Sequence, residues 1–149
     1  MNAMTGIRLA LGLGCDRGTP LATVQDCLRQ ALAQIGARPE QVVAMGTIAA
    51  KADELAFQQL AARHGWPVHH YSAAELAAVD VPHPSETVRR YMGTPSVSEA
   101  AALLAAGADM RALLVEKHKL RGADGKNATV SIARVASVSS AQPVLPPGA

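Results

Sequence analysis

The sequence predicts an α/β protein: a three-layer α/β/α sandwich with a mostly parallel sheet and a C-terminal antiparallel hairpin. Apolar runs of strand length alternate with segments whose apolar residues repeat at helical spacing, the pattern of helices crossing between parallel strands. The last two strand-like runs are instead joined by a short polar, glycine-rich turn, LRGADGK, which makes them an antiparallel pair. The length of 149 residues suits a chain with one hydrophobic core.

Residues 7–13 form an apolar run ending in glycine, read as a buried strand. Thr19 is placed to cap the helix that follows and Pro20 suits its first turn. Leu21, Val24, Leu28, Ala31, Leu32 and Ile35 then repeat at helical spacing until Gly36. Residues 41–48 (QVVAMGTI) are the second strand, 52–64 a second helix closed by Gly65, and 66–71 a third strand. A short Ala-rich helix is predicted over 72–80, after which two prolines around His83 break regular structure. Ser96-Val97-Ser98-Glu99 has the form of a capping box and opens a buried helix, AAALLAAGA, ended by Gly107. Residues 111–119 and 127–135 are the hairpin strands. The Ser- and Pro-rich stretch 136–149 is expected to be a disordered tail, leaving one domain over 1–135.

Composition narrows the function classes. Aromatic residues make up 3% of the chain, too few for a protein that stacks bases on aromatic platforms. The net charge of +2, from 14 basic and 12 acidic residues, implies neither a nucleic-acid nor a membrane surface. Cys15 and Cys27 are read as lying in a loop and a helix of a reduced, cytoplasmic protein without a disulfide. The N-terminal residues lack the pattern of a secretory signal, and no apolar run has the length of a bilayer span.

In an open α/β sheet, ligands bind in the crevice at the carboxyl ends of the strands, which directs attention to residues 14–19, 46–53, 71–75 and 92–98. The first loop carries Gly14, Cys15, Asp16, Arg17, Gly18 and Thr19 ahead of a helix start that favours an anion. The second carries Thr47, Lys51, Asp53 and Glu54. A dinucleotide site fits poorly: after Gly12 and Gly14 the third glycine, Gly18, comes one position late, and MGTIAAK offers no acid for a ribose hydroxyl. There is no phosphate-loop G-K-[ST] either.

GLGCDRGT after the first strand, Lys51 followed by Asp53-Glu54, the helix SVSEAAALLAAG and the terminal K-H-K…ATVSIAR hairpin occur in an order that resembles the CobE and CbiG C-terminal domain family of cobalamin biosynthesis. The resemblance spans roughly Leu9 to Val135 and is most like the stand-alone CobE type. It implies an α/β/α sandwich that binds an anionic tetrapyrrole or precorrin intermediate, with other cobalamin-pathway enzymes as further partners and no cofactor. A CbiG-like role, opening a cobalt-precorrin lactone with release of acetaldehyde, is the alternative, and a nucleotide-binding module a further one.

A corrin intermediate is a wide, flat ring rimmed with carboxylates, so its site needs an apolar floor edged by cations and helix starts. The expected ligand-binding residues are Gly12, Gly14, Cys15, Arg17, Gly18, Thr19, Lys51, Ser96 and Lys117. Gly12 and Gly14 are read as letting the strand end turn sharply, and Arg17 as a bidentate carboxylate partner. For the lactone reaction Lys51, Asp53 and Glu54 are the catalytic candidates, an acid serving as base. Each has an ordinary alternative: Arg17 a solvated surface residue, Asp53 and Glu54 helix-start acids, Cys15 a small packed residue, Ser96 a cap, Lys117 a solvated strand residue. His69 and His70 are adjacent in a strand and point to opposite faces, and the other histidines show no ligand spacing, so no metal site is expected.

Overall fold

The computed structural model describes residues 6–81 and 97–136. In chain order these form β1 (Leu9–Cys15), α1 (Leu21–Gln34), β2 (Val42–Ile48), α2 (Leu55–His64), β3 (Val68–Tyr71), α3 (Ala73–Ala77), α4 (Val97–Ala106), β4 (Leu113–Arg121) and β5 (Asn127–Arg134). A single 3-10 turn, Ala49–Lys51, follows β2. No helix among the described residues is long and apolar enough to cross a membrane.

The strands form one sheet in the order β3-β2-β1-β5-β4. β1 pairs parallel with β2 and β2 with β3, whereas β5 is antiparallel to both β1 and β4. Every strand of this sheet except β5 therefore runs the same way, which is the mostly parallel sheet with a terminal hairpin.

Alternation along β1 splits the core into two layers. Leu9, Leu11 and Leu13 join the apolar cluster of α1 and α2, with Val24, Leu28, Phe57 and Leu60. Ala10 faces the other way, into the cluster built on α4. Each of the three fully buried leucines contributes about 1.5–3 kcal/mol. β2 keeps the same division only because its register slips by one residue near Val43, so that Val42 and Met45, three apart, both face α1 and α2.

Missing side chains seat α4 on the other face. Gly12 of β1 and Gly46 of β2 are register partners. A Cβ on Gly12 would stand 1.8 Å from the Ser98 carbonyl oxygen and 2.6 Å from the Ala102 nitrogen, and one on Gly46 would stand 2.9 Å from the Ala101 oxygen. The α4 backbone thus lies directly against the sheet, and Ser98 to Leu103 are all buried.

Three local expectations need correction. β5 pairs with β1 as far as Cys15 opposite Ala128, so Gly12, Gly14 and Cys15 belong to a central strand and not to a turn or loop. The left-handed residue that turns the chain towards α1 is Gly18, at φ +78°. Thr19 does not cap α1: Pro20 holds the N-cap position without a side-chain bond, and the buried Thr19 hydroxyl lies 2.7 Å from the Asp16 carbonyl oxygen and 3.2 Å from that of Asn127. Gly36 and Gly65 follow α1 and α2 with positive φ as expected, and Ser72 with Glu75 forms a capping box on α3. Ser96, the prolines around His83 and residues 137–149 lie outside the described residues.

Candidate functional site

The carboxyl ends of β1 and β2 meet the start of β5 at a crevice of about 370 Å³. Gly14 and Cys15 end β1 there, and Ile48 and Val97 add apolar wall. A Cβ on Gly14 would stand 2.7 Å from the Thr129 hydroxyl, so the bare glycine lets Thr129 share the lining. Two ammonium groups complete the crevice, from half-buried Lys51 after β2 and exposed Lys119 on β4. Neither forms an ion pair with a described residue.

Asp16 ties the crevice together. Its Oδ2 accepts from the Asn127 backbone N–H at 2.8 Å and from Nδ2 at 3.1 Å, while its own N–H donates to the Asn127 carbonyl at 2.9 Å. These bonds, helped by the Lys51 and Lys119 charges, hold its carboxyl below the usual range. Cys15 moves the opposite way. Burial pushes its thiol up and the Glu54 charge adds to this, against Lys51 and a hydrogen bond with Thr19. Cys15 is therefore protonated at neutral pH, unlike an activated nucleophile.

Arg17, Gly18, Thr19, Asp53 and Glu54 line a separate depression of about 550 Å³. Arg17 Nη1 lies 2.7 Å from Asp53 Oδ1 and 2.9 Å from Glu54 Oε2, and Nη2 donates to the Ala50 carbonyl at 3.1 Å. Glu54, only 3% exposed, also accepts from the Gly18 N–H at 3.1 Å. The guanidinium expected to receive a ligand carboxylate is occupied by two carboxylates of the protein. By the same contacts, both candidate bases are engaged.

Of the expected ligand-binding set, the structure brings Gly14, Cys15 and Lys51 to the crevice. Gly12 lies beneath α4, Thr19 is buried, and Arg17 and Gly18 belong to the neighbouring depression. Lys117 is exposed on β4, and Lys119 stands on the crevice wall instead. β4 has an irregular register between Val115 and His118, where three steps oppose the two from Ile132 to Val130. Beyond it His118 faces α1, held 2.7 Å from Gln30 Oε1 and 2.9 Å from Gln34 Nε2, which leaves Lys119 to the opposite face. Asn127 and Thr129 also escaped sequence reasoning; the Lys-His-Lys alternation was the one signal near this wall. Among the described residues no group of three or more His, Cys, Asp or Glu is placed to hold a metal ion.

The family model described as cobalamin synthesis G C-terminus matches residues 9–133. The chain belongs to this family. Protein CobE from a Sinorhizobium species is 38% identical over 114 residues, covering 75% of this chain and 73% of CobE. A cobalt-precorrin-5A hydrolase from Priestia megaterium is 36% identical over 127 residues, which cover 85% of this chain and 32% of the hydrolase. The chain therefore spans about a third of that enzyme's length. The crystal structure of CobE, a protein from the cobalamin (vitamin B12) biosynthetic pathway, matches with a TM-score of 0.72 at 32% identity, over 87% of this chain and 91% of that one. The sandwich is thus the CobE fold, and the chain is a cobalamin biosynthesis protein of the CobE and CbiG C-terminal family.

Proposed function

We propose that this chain acts in the cytoplasm by binding an anionic tetrapyrrole intermediate of corrin synthesis through its peripheral carboxylates, at the crevice between β1, β2 and β5. The observation that carries this reading is the pair Lys51 and Lys119, two ammonium groups without an ion-pair partner among the described residues, on one partly apolar crevice. Charge-assisted hydrogen bonds from such groups suit acetate and propionate arms. A volume of about 370 Å³ is at the low end for small-molecule sites, so it takes an arm and the adjoining ring edge. The rest of the macrocycle stays open for transfer to another enzyme of the pathway.

The likeness to a cobalt-precorrin-5A hydrolase favours a second reading, hydrolysis of a precorrin lactone. That reaction needs a base tuned towards neutral pH. Asp53 and Glu54 are engaged with Arg17, and Asp16 is held below the usual carboxylate range, so the binding reading has the better support.

A visible-absorption titration with cobyrinic acid at low ionic strength tests the proposal. Saturable binding is expected, weakened about tenfold by either Lys51→Ala or Lys119→Ala, as loss of one charge-assisted contact implies. The methyl ester of the same corrin is expected not to bind. Unchanged affinity in both variants would refute the crevice, and acetaldehyde release from a lactone-bearing precorrin would favour the hydrolase.

A further inference from the structure

Three contacts from Arg17 bracket one short turn. Nη2 donates to the carbonyl of Ala50, immediately before Lys51, and Nη1 reaches Asp53 and Glu54, two and three residues beyond it. Between these points the Glu54 N–H donates to the Lys51 carbonyl at 3.0 Å, and the Ala52 N–H to that of Ala49 at 3.0 Å. The Gly18 N–H adds a second tie from the same connection to Glu54. Residues 50–54 are thus fastened at both ends to the connection that follows β1, where Cys15, the last residue of the strand, and Asp16 line the crevice.

We infer that Arg17 is a positioning residue: it clamps the turn that carries Lys51 and so sets where the Lys51 ammonium stands at the crevice, without itself contacting a ligand carboxylate. A lysine head group sits on a flexible four-carbon stem, so a fixed backbone is the main means of confining its charge. Arg17 suits this task because its planar fork reaches two carboxylates and a carbonyl at once, where the Gly18 N–H reaches Glu54 alone. For ligand affinity the inference rests on the proposed binding function; the position of Lys51 can be read without any ligand.

Cys15 provides that reading. The Lys51 ammonium favours its thiolate, while burial and the Glu54 and Asp16 carboxylates oppose it. The experiment is a double-mutant cycle of Arg17→Gln and Lys51→Ala in the full chain, followed by iodoacetamide alkylation of Cys15 against pH and by cobyrinic acid titration. With Lys51 present, Arg17→Gln is expected to slow alkylation at pH 8 by about threefold; with Lys51→Ala only the smaller, direct loss of the Arg17 charge near Cys15 is expected to remain. Cobyrinic acid affinity is expected to follow the same non-additive pattern. Arg17→Lys keeps a positive charge beside buried Glu54 but cannot reach all three acceptors, so an intermediate alkylation rate in this variant excludes loss of fold as the cause. Equal effects of Arg17→Gln on Cys15 in both backgrounds overturn the clamp, whatever the titration gives. If the thiol cycle is non-additive while Lys51→Ala leaves corrin binding intact, the clamp stands and the binding proposal fails.

Discussion

Substituting alanine at Gly12 adds one methyl group where the α4 backbone already lies. The new Cβ would be 1.8 Å from the Ser98 oxygen, and even a separation of 3.0 Å, the shortest that real Cβ atoms show, requires a movement of about 1.2 Å. The obstructing atoms belong to the backbone of α4, so no rotamer change relieves them. The helix must lift from β1, along residues that are buried from Ser98 to Leu103. A gap of about 0.5–1 Å forfeits roughly a quarter to a half of each dispersion contact, and overpacking typically costs about 1–3 kcal/mol. Because this clash is backbone on backbone, the expected loss is about 3 kcal/mol, at the upper end of that range. With a urea slope of about 2 kcal/mol per molar, the unfolding midpoint by circular dichroism falls by about 1.5 M. Gly65→Ala is the control: no atom lies within 4 Å, and only its φ of +73° opposes a side chain, at about 1–2 kcal/mol. A Gly12→Ala midpoint within about 0.3 M of the parent, or a smaller loss than Gly65→Ala, would refute the account of how α4 is seated.

The two thiols should differ in the folded protein. Burial pushes Cys27 up to about 12 and also raises half-buried Cys15, so iodoacetamide at pH 8 is expected to modify Cys15 slowly and to spare Cys27, read by peptide mass spectrometry; fast native-state labelling of Cys27 would contradict its place on the buried face of α1. Asp16 has a depressed folded-state pKa, so its contribution is present above the unfolded value of about 3.9 and disappears as pH falls through the folded one. Asp16→Asn is therefore expected to lower the melting temperature at pH 7 and to reduce its further fall below about pH 4, without abolishing it, because Asp53 and Asp109 are also lowered. An equal acid-induced fall in parent and variant would refute the role of the Asn127 bonds.

The candidate site was only partly legible. Lys51, Cys15 and Gly14 were found because a strand ends beside them and ligand crevices form at strand ends. Arg17 was singled out for its chemistry, yet its partners lie 33 to 37 positions away, and the spacing of charges along the chain did not reveal that Asp53 and Glu54 would take it. Lys119 and Thr129 reach the crevice only because β5 inserts beside β1 and pairs with it to the last residue. The irregular register in β4 lies in the same hairpin, so simple alternation did not single out Lys119 over Lys117.

The sequence by itself determined the fold class, the order of helices and strands, the buried face of α1, the burial of α4, and the glycine stops after α1 and α2. These follow from hydrophobic period and backbone permissiveness, which act over a few neighbouring residues. Only the tertiary structure decided that Gly12 is a seat for α4, that Arg17 is engaged within the protein, and that Lys51 shares a crevice with Lys119. Close approach and ion pairing depend on strand order and register, and those are settled when the whole sheet assembles and distant segments compete for the same partners.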